Sequence, residues 1–468
     1  MSLPWSARRL HFVGVGGAGM SGYARAAAAL GAQVSGSDGA TSPYLERLSA
    51  DGVLDAHIGH DAVNIPAGED VEIVYSSAVP AENPERAAAR ARGLRERPRA
   101  DLLAELTALK RTIAVAGTHG KTTTSSMLVH ALRRACPQPD EVSWLVGGPV
   151  GGGLDNAHWG PGELLVVEAD ESDRSMLSLD VDIAVLTNVE LDHHATFASL
   201  VELREAFGAF LARAHCGIVV WDRPELVELA PPEAKPDLPV PAAGSAGGEG
   251  GNVSLVAYDV PEPTLLAGGS SFRWRAHDVR LQVPGAHNAL NAAAALEAVR
   301  LAGADEQAAI AGLAEFPGAG RRFQRVGSVG GATIYEDYAH HPTEVAATLR
   351  AARTLDPWRL VAVFQPHLFS RTAMLASEFG RALALADVVV VLDVYPARER
   401  PQDHPGVSGL TIVERAVDAA HGRPVYWLAT FADAEPVLRR ELRDGDLCLM
   451  LGAGDIDELG RRLVEGGR

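Results

Sequence analysis

Ala114-Val-Ala-Gly-Thr-His-Gly-Lys-Thr-Thr-Thr124 is the stretch from which the rest of the chain can be read. The apolar run from Thr112 to Ala116 has the length of a buried strand, and Ser125 to Ala135 reads as a helix. Between them stand Gly117, Thr118, His119, Gly120, Lys121, Thr122 and Thr123. Strand, glycine turn, Gly-Lys-Thr and helix make a cradle for a nucleoside triphosphate. Glycines let backbone N–H groups turn toward phosphate oxygens, and a helix N-terminus adds positive potential. Lys121 would reach the outer phosphates, and Thr122 would offer its hydroxyl to Mg²⁺. Val115 occupies the place where the common pattern has its first glycine, so the turn is made later, at Gly117. The plainer alternative is an ordinary strand-to-helix turn rich in small residues.

A chain of 468 residues exceeds what one core sustains and predicts about three domains. Its 47% apolar content is that of an ordinary globular protein. The net charge of -18, from 42 basic and 60 acidic residues, argues against nucleic acid or an anionic membrane as main partner. Cys136, Cys216 and Cys448 are far apart and form no metal-ligand spacing, which fits a reduced, cytoplasmic compartment. Glycines break the apolar run after Leu10 before a signal-peptide core forms, and no apolar segment is long enough to span a bilayer.

Three blocks follow, 1–108, 109–318 and 319–468. The first opens with a strand at Leu10 to Val15, an alanine-rich helix from about Ser21 to Leu30, and strands at Gln33 to Ser37 and Val71 to Ser77. Strands alternating with helices imply a parallel sheet. The second continues with strands at Leu164 to Glu168, Ile183 to Thr187 and Gly217 to Trp221, and a helix at Leu290 to Leu301. The Pro-, Gly- and Ala-rich stretch from about Pro231 to Asn252 reads as a mobile surface loop. The third has strands at Thr333 to Glu336, Leu360 to Phe364, Val388 to Leu392 and Leu447 to Leu451. The expected fold is therefore α/β: a Rossmann-like N-terminal domain, a central P-loop ATPase-type domain with a mainly parallel sheet, and a Rossmann-like C-terminal domain.

Several short constellations carry chemistry. Gly14-Val-Gly-Gly-Ala-Gly19 is a GxGxxG with Asp38 further on, which taken alone indicates NAD. Its physical content is a helix N-terminus ready for a pyrophosphate, and a nucleoside diphosphate sugar satisfies it equally. Glu168, Asp170, Glu171 and Asp173 follow a strand, as carboxylates sharing Mg²⁺ with phosphates would. Glu168 is the best ligand candidate, whereas Glu171 reads as a solvated acidic turn. Asp192 and His193 close another strand of this block, where a structural role competes with a functional one. Asn288 and Asn291 carry donor and acceptor groups suited to an adenine edge, with plain helix capping as the alternative. Arg322, beside Arg321, could reach a γ-phosphate or be an exposed linker charge. His340, His341, His367 and Arg371 gather at one sheet edge and suit an anionic substrate. Phe323 and Trp358 read as core.

In order and combination, Gly14 to Gly22, Gly117-Thr-His-Gly-Lys-Thr-Thr-Thr124, Glu168-Ala-Asp-Glu-Ser-Asp173, Asp337-Tyr-Ala-His-His-Pro342 and Phe364-Gln-Pro-His367 resemble the Mur ligase family over nearly the full length. The resemblance implies ATP, two Mg²⁺ ions, and UDP-N-acetylmuramate and L-alanine as substrates joined through an acyl phosphate. The expected state is a monomer or weak homodimer, with no nucleic acid and no stable membrane insertion. The resemblance assigns Lys121 to phosphates and Thr122, Glu168 and His193 to the metal sites. The adenine side falls to His287, Asn288 and Asn291, and Arg322 and Asp337 complete the nucleotide site. Lys121, His193 and Arg322 are the implied catalytic groups. Gly16, Gly17, Ala18, Gly19, Met20, Ser37, Asp38 and Ser77 would take the UDP-sugar, and His340, His341, His367 and Arg371 the amino-acid side. Two positions depart from the family pattern: Ala195 stands where an Asp is usual, and Leu368 where an Arg is usual. A related recycling ligase that adds a whole peptide is the nearest alternative. An NAD-dependent dehydrogenase and a P-loop switch module are alternatives of other classes.

Overall fold

The computed structural model describes residues 3–192, 196–236 and 253–466. Apolar runs too continuous for a one-sided sheet become strands covered on both faces, as parallel sheets require. The first sheet is all parallel, in the order His57–Ile58, Gln33–Asp38, Arg9–Val13, Val71–Tyr75, Arg95–Pro98. A second sheet of eight strands centres on Val181–Leu186, Arg111–Ala116 and Leu164–Glu168, and only its last pair, Ser143–Leu145 with Ala157–His158, is antiparallel. Leu447–Leu451 sits in another sheet, between Ala332–Asp337 and Leu360–Phe364, parallel to both. There Gln324–Val329 adds an antiparallel edge. A small antiparallel sheet, Thr264–Leu266, Gly269–Trp274 and His277–Leu281, has no counterpart in the sequence reading.

The chain packs into two compact units, Met1–Asp259 with Asn291–Glu315, and Val260–Leu290 with Phe316–Arg468. In the first unit the two large sheets share one core, from Phe12 and Leu102 to Phe207 and Phe210. The joint between them is also polar. Asn156 Nδ2 donates to Ala18 O (2.6 Å) and Arg47 Nη1 to Asp155 Oδ1 (2.6 Å). Residues 260–290, read from sequence as part of the middle block, belong to the second unit. Among the described residues no helix is long and apolar enough to cross a membrane. Residues 237–252, which hold most of the expected surface loop, lie outside the described residues.

Three helices begin earlier than their apolar periodicity suggests: Ala18–Ala29, Lys121–Ala135 and Ala286–Leu301. The first turn of a helix keeps its N–H groups free for other acceptors, so its residues are small or polar and leave no apolar signal. Trp358 corrects the expected core, being 80% exposed. Phe323 is half-buried against Tyr335, with ring centroids 4.8 Å apart.

Beneath the first glycine turn lies a charged network. Glu85 is fully buried and accepts from His11 Nε2 (2.9 Å), Ser37 Oγ (2.7 Å), Asn64 Nδ2 (2.9 Å) and Asp61 N (3.2 Å). Burial alone would push its carboxyl up, but the hydrogen bonds outweigh it and bring the pKa down to about 2. A carboxyl depressed from 4.5 to about 2 contributes roughly 3 kcal/mol of stability above pH ~4.5, lost as pH falls toward 2. Glu85→Gln is therefore expected to destabilise the fold by about that amount at pH 7, and by progressively less in acid. Denaturant titrations across pH 2–7 with a pH-independent gap between variant and wild type would contradict this.

Candidate functional site

The candidate phosphate loop is held by its own backbone and by a neighbouring segment. Gly117 and Gly120 take φ of +131° and +82°, values that L side chains avoid. The segment following Val181–Leu186 pins the loop from the side. His119 N donates to Asn188 Oδ1 (2.9 Å), while His119 O accepts from Thr187 Oγ1 (2.6 Å) and Asn188 Nδ2 (2.9 Å). Thr118 Oγ1 donates to Glu190 O and accepts from Glu190 N, both at 2.9 Å. Helix Lys121–Ala135 has no side-chain cap and no acidic residue in its first turn, so its N-terminal positive potential is left for an anion.

Lys121 Nζ donates to Gly117 O (2.6 Å), Thr118 O (3.2 Å) and Glu171 Oε1 (2.9 Å). Burial works against its charge, but Glu171, Glu168 and Asp170 outweigh that and raise the pKa. Glu171, read from sequence as a solvated turn residue, is 1% exposed. It is the buried counter-ion of Lys121, a role no local pattern announces. Thr122 Oγ1 donates to Glu168 Oε1 (3.0 Å), and Gly147 N donates to Glu168 Oε2 (2.7 Å). A hydroxyl and a carboxylate in contact are the oxygen donor set of a hard cation, so Thr122 and Glu168 fit Mg²⁺. His193 and Ala195 lie outside the described residues.

The adenine candidates divide between the two units, whose boundary falls inside helix Ala286–Leu301. Asn291 stands beside the loop: a Cβ on Gly120 would lie 2.7 Å from its Oδ1. Asn288 is buried and donates from Nδ2 to Pro284 O (2.7 Å), which differs from an N-cap accepting backbone N–H groups. Burial lowers the His287 pKa to about 4, with Glu344 opposing and Arg322 adding, so the ring is neutral at pH 7.

At the first glycine turn, Asp38 Oδ2 accepts from Gly16 N (2.7 Å) and Oδ1 from Ala40 N (3.3 Å). Asp38 thus shapes the turn directly. Ser37 is fully buried with its hydroxyl on Glu85, and Met20 is buried too. Gly17 and Ser77 are exposed, Ala18 and Gly19 half-buried. Nothing lies within 4 Å of a Cβ placed on Gly17, so the turn is open there.

In the second unit the carboxyl ends of Ala332–Asp337, Leu360–Phe364 and Val388–Val391 bring the remaining candidates together, the edge where such sheets bind ligands. The His340 and His367 rings are 6.0 Å apart, and His367 stacks on Tyr395 at 5.8 Å. Arg371 is buried with Nη1 3.2 Å from His367 Nδ1. His341 caps helix Pro342–Arg353, its Nδ1 accepting from Thr343 N (3.4 Å). Asp337 is buried and accepts from Phe323 N and Ala339 N, both 2.8 Å. Burial raises it to about 6 against the pull of Arg322. Arg322 lies over the Tyr338 ring (5.2 Å) with Glu344 at 3.7 Å, and is half-buried instead of being a free linker charge. Leu368, in the place of the expected arginine, is buried at φ +70°. Tyr395 and Asn188 also line these sites; each follows the end of a strand, and that position is the signal the sequence offers for them.

Sequence models of three consecutive domains cover this framework: "Mur ligase family, catalytic domain" over residues 9–111, "Mur ligase middle domain" over 115–299, and "Mur ligase, glutamate ligase domain" over 321–454. A UDP-N-acetylmuramate–L-alanine ligase of Mycobacterium sp. (strain JLS) is 44% identical over 477 aligned residues, covering 99% of this chain and 96% of the relative. The chain belongs to the Mur ligase family. A relative of the same name from Rubrobacter xylanophilus is 44% identical, over 97% of this chain and 99% of its own. Among solved structures, a UDP-N-acetylmuramate-alanine ligase from Thermotoga maritima matches with a TM-score of 0.79 at 26% identity, over 98% of each chain. A murein peptide ligase from Psychrobacter arcticus shares the fold, with a TM-score of 0.69 at 21% identity. The three-domain α/β architecture with mainly parallel sheets is that of this Mur ligase framework. Family membership disposes of the dehydrogenase and switch readings, and the first GxGxxG serves a ligase.

Proposed function

We propose that this Mur ligase joins L-alanine to the lactyl carboxylate of UDP-N-acetylmuramate with ATP, giving ADP and phosphate, in cytoplasmic synthesis of peptidoglycan precursors. The near full-length 44% identity to ligases of that name carries this reading. The glycine loop with Lys121 and the paired Thr122 and Glu168 supports it. The proposed division of labour is UDP-sugar binding in 1–108, ATP in 109–318 and the amino acid in 319–468, in a monomer or weak homodimer.

A carboxylate does not acylate an amine, because oxide is a poor leaving group. Attack of a lactyl carboxylate oxygen on the γ-phosphorus expels ADP and gives an acyl phosphate. The alanine amine then adds to its carbonyl carbon, loses a proton, and phosphate leaves with the C–O electron pair. No side-chain nucleophile is required, so the protein's contribution is positioning and charge neutralisation. Lys121 would hold the outer phosphates, and Gly117 to Thr123 would wrap them with backbone N–H groups. Two Mg²⁺ ions, held by Thr122, Glu168 and His193, would supply further positive charge to the phosphates. His287, Asn288 and Asn291 are proposed for the adenine side, and Arg322 and Asp337 for the rest of the nucleotide. His340, His341, His367 and Arg371 are proposed for the amino acid. With Leu368 aliphatic and buried, Arg371 is proposed to carry more of the contact with the amino-acid carboxylate.

Phosphate release is expected to need ATP, Mg²⁺, UDP-N-acetylmuramate and L-alanine together. Comparing free L-alanine with a tripeptide acceptor separates the proposal from the recycling ligase. Release that proceeds without either acceptor or nucleotide-sugar would sink both.

A further inference from the structure

Asp170 and Asp173 lie in the same acidic segment as Glu168 and Glu171, yet neither makes a hydrogen bond to Lys121 or Thr122. Both hold a single guanidinium, Arg99. Its Nε donates to Asp173 Oδ2 (2.6 Å), and Nη2 lies 2.9 Å from Asp170 Oδ2 and 2.6 Å from Asp173 Oδ2. Arg99 opens helix Arg99–Thr107, just past the edge strand of the first sheet. The pairing uses Nε and Nη2, and Nη1 has no hydrogen-bond partner among the described residues. A Cβ placed on Gly19 would lie 3.1 Å from Nη1. The missing side chain of Gly19 is what lets the guanidinium reach the first turn of helix Ala18–Ala29.

The helix end by itself disfavours a cation there, and the two aspartates offset this without occupying Nη1. The N-terminus of a helix is a positive end, and a cation facing it is repelled. This helix has no side-chain cap and no acidic residue in its first turn to relieve the repulsion. Asp170 and Asp173 take Nε and Nη2 and leave Nη1, beside Gly19, without a hydrogen-bond partner among the described residues. A second polar group converges there. Tyr23 is 5% exposed, its hydroxyl would lie 3.6 Å from a Gly19 Cβ, and it has no hydrogen-bond partner among the described residues. Burial pushes that hydroxyl up to about 12, so it is a donor at neutral pH. Two aimed donors and an uncapped helix end make a seat for phosphate oxygens.

We infer that Arg99, assisted by the Tyr23 hydroxyl and aimed by Asp170 and Asp173, binds the diphosphate of the nucleotide-sugar. The inference rests on the functional reading above and adds residues to it. It also gives the acidic segment a divided task. Glu168 and Glu171 serve the phosphate loop, and Asp170 and Asp173 hold the arginine of the other substrate, so the two substrate sites meet within six residues.

The test is calorimetric titration of the full chain with uridine, UDP and UDP-N-acetylmuramate. Arg99→Gln is expected to weaken UDP and UDP-N-acetylmuramate by about tenfold or more while leaving uridine unchanged. Tyr23→Phe should show the same selectivity with a smaller loss. A structural role would instead weaken all three ligands alike, and that result, or no loss at all, overturns the inference. Thermal melting establishes that each variant is folded. Should Arg99→Gln not fold, Arg99→Lys keeps the charge against both aspartates but loses the fork, and the same ligand comparison decides. Wild-type chain that binds no uridine ligand would overturn the functional reading beneath it.

Discussion

Lys121→Ala is expected to lower ligation by at least about 10³-fold at saturating substrates, with UDP-N-acetylmuramate binding close to wild type. The ammonium is the cation held on the loop itself, by two loop carbonyls and Glu171. Its three N–H donors are all taken there, so a phosphate oxygen would be met by exchanging one of these partners, with the ammonium already at the loop. Removing the ammonium also strands Glu171, which is 1% exposed, so the thermal midpoint should fall. The two consequences can be separated. Lys121→Ala combined with Glu171→Gln should recover much of the stability and none of the activity. Phosphate release and melting curves on the single and double variants give the answer. Ligation near the wild-type rate in the single variant would remove Lys121 from the phosphate site.

Gly117→Ala should be nearly as damaging, by a different route. A Cβ there would stand 2.1 Å from Thr187 Oγ1 and 3.0 Å from both N and O of Asn188, at a φ of +131°. The strained backbone costs about 1–3 kcal/mol, and the displaced Thr187 and Asn188 lose their hold on His119. The expected result is loss of ATP binding together with a lower melting temperature. Gly17→Ala is the internal comparison. Its φ is -77° and a Cβ there meets nothing within 4 Å, so the fold should be unchanged. Nucleotide-sugar affinity alone should fall, because the methyl occupies the open face of the turn. Equal thermal shifts in the two variants would refute the contrast.

Much of the molecule is legible in local sequence. Thr112 to Ala116 followed by two glycines, Lys and Thr has few structural solutions, since both the positive φ and the apolar strand are local requirements. Leu360–Phe364 and Leu447–Leu451 match their apolar runs residue for residue, because strands buried on both faces admit nothing polar. His340, His341, His367 and Arg371 stand at one sheet edge, because parallel strands put all their carboxyl ends on the same side. Other features had no local signature. Trp358 looks like core by type alone, and only the tertiary structure shows that it remains outside. Glu171 looks like one more acid in a solvated turn, and only its distance to Lys121, fifty positions earlier, says otherwise.

By itself, then, the sequence determined the α/β class, the phosphate loop and the family, since each depends on residues adjacent in the chain or on their order. Tertiary structure decided which charges face which. It gave Glu171 to Lys121, Asp170 and Asp173 to Arg99, and Ser37 to Glu85, and it moved residues 260–290 into the second unit. The physical reason is range. Backbone conformation and strand burial follow from local steric and hydrophobic requirements, whereas the state of a buried charge is set by partners that only folding brings within about 3 Å.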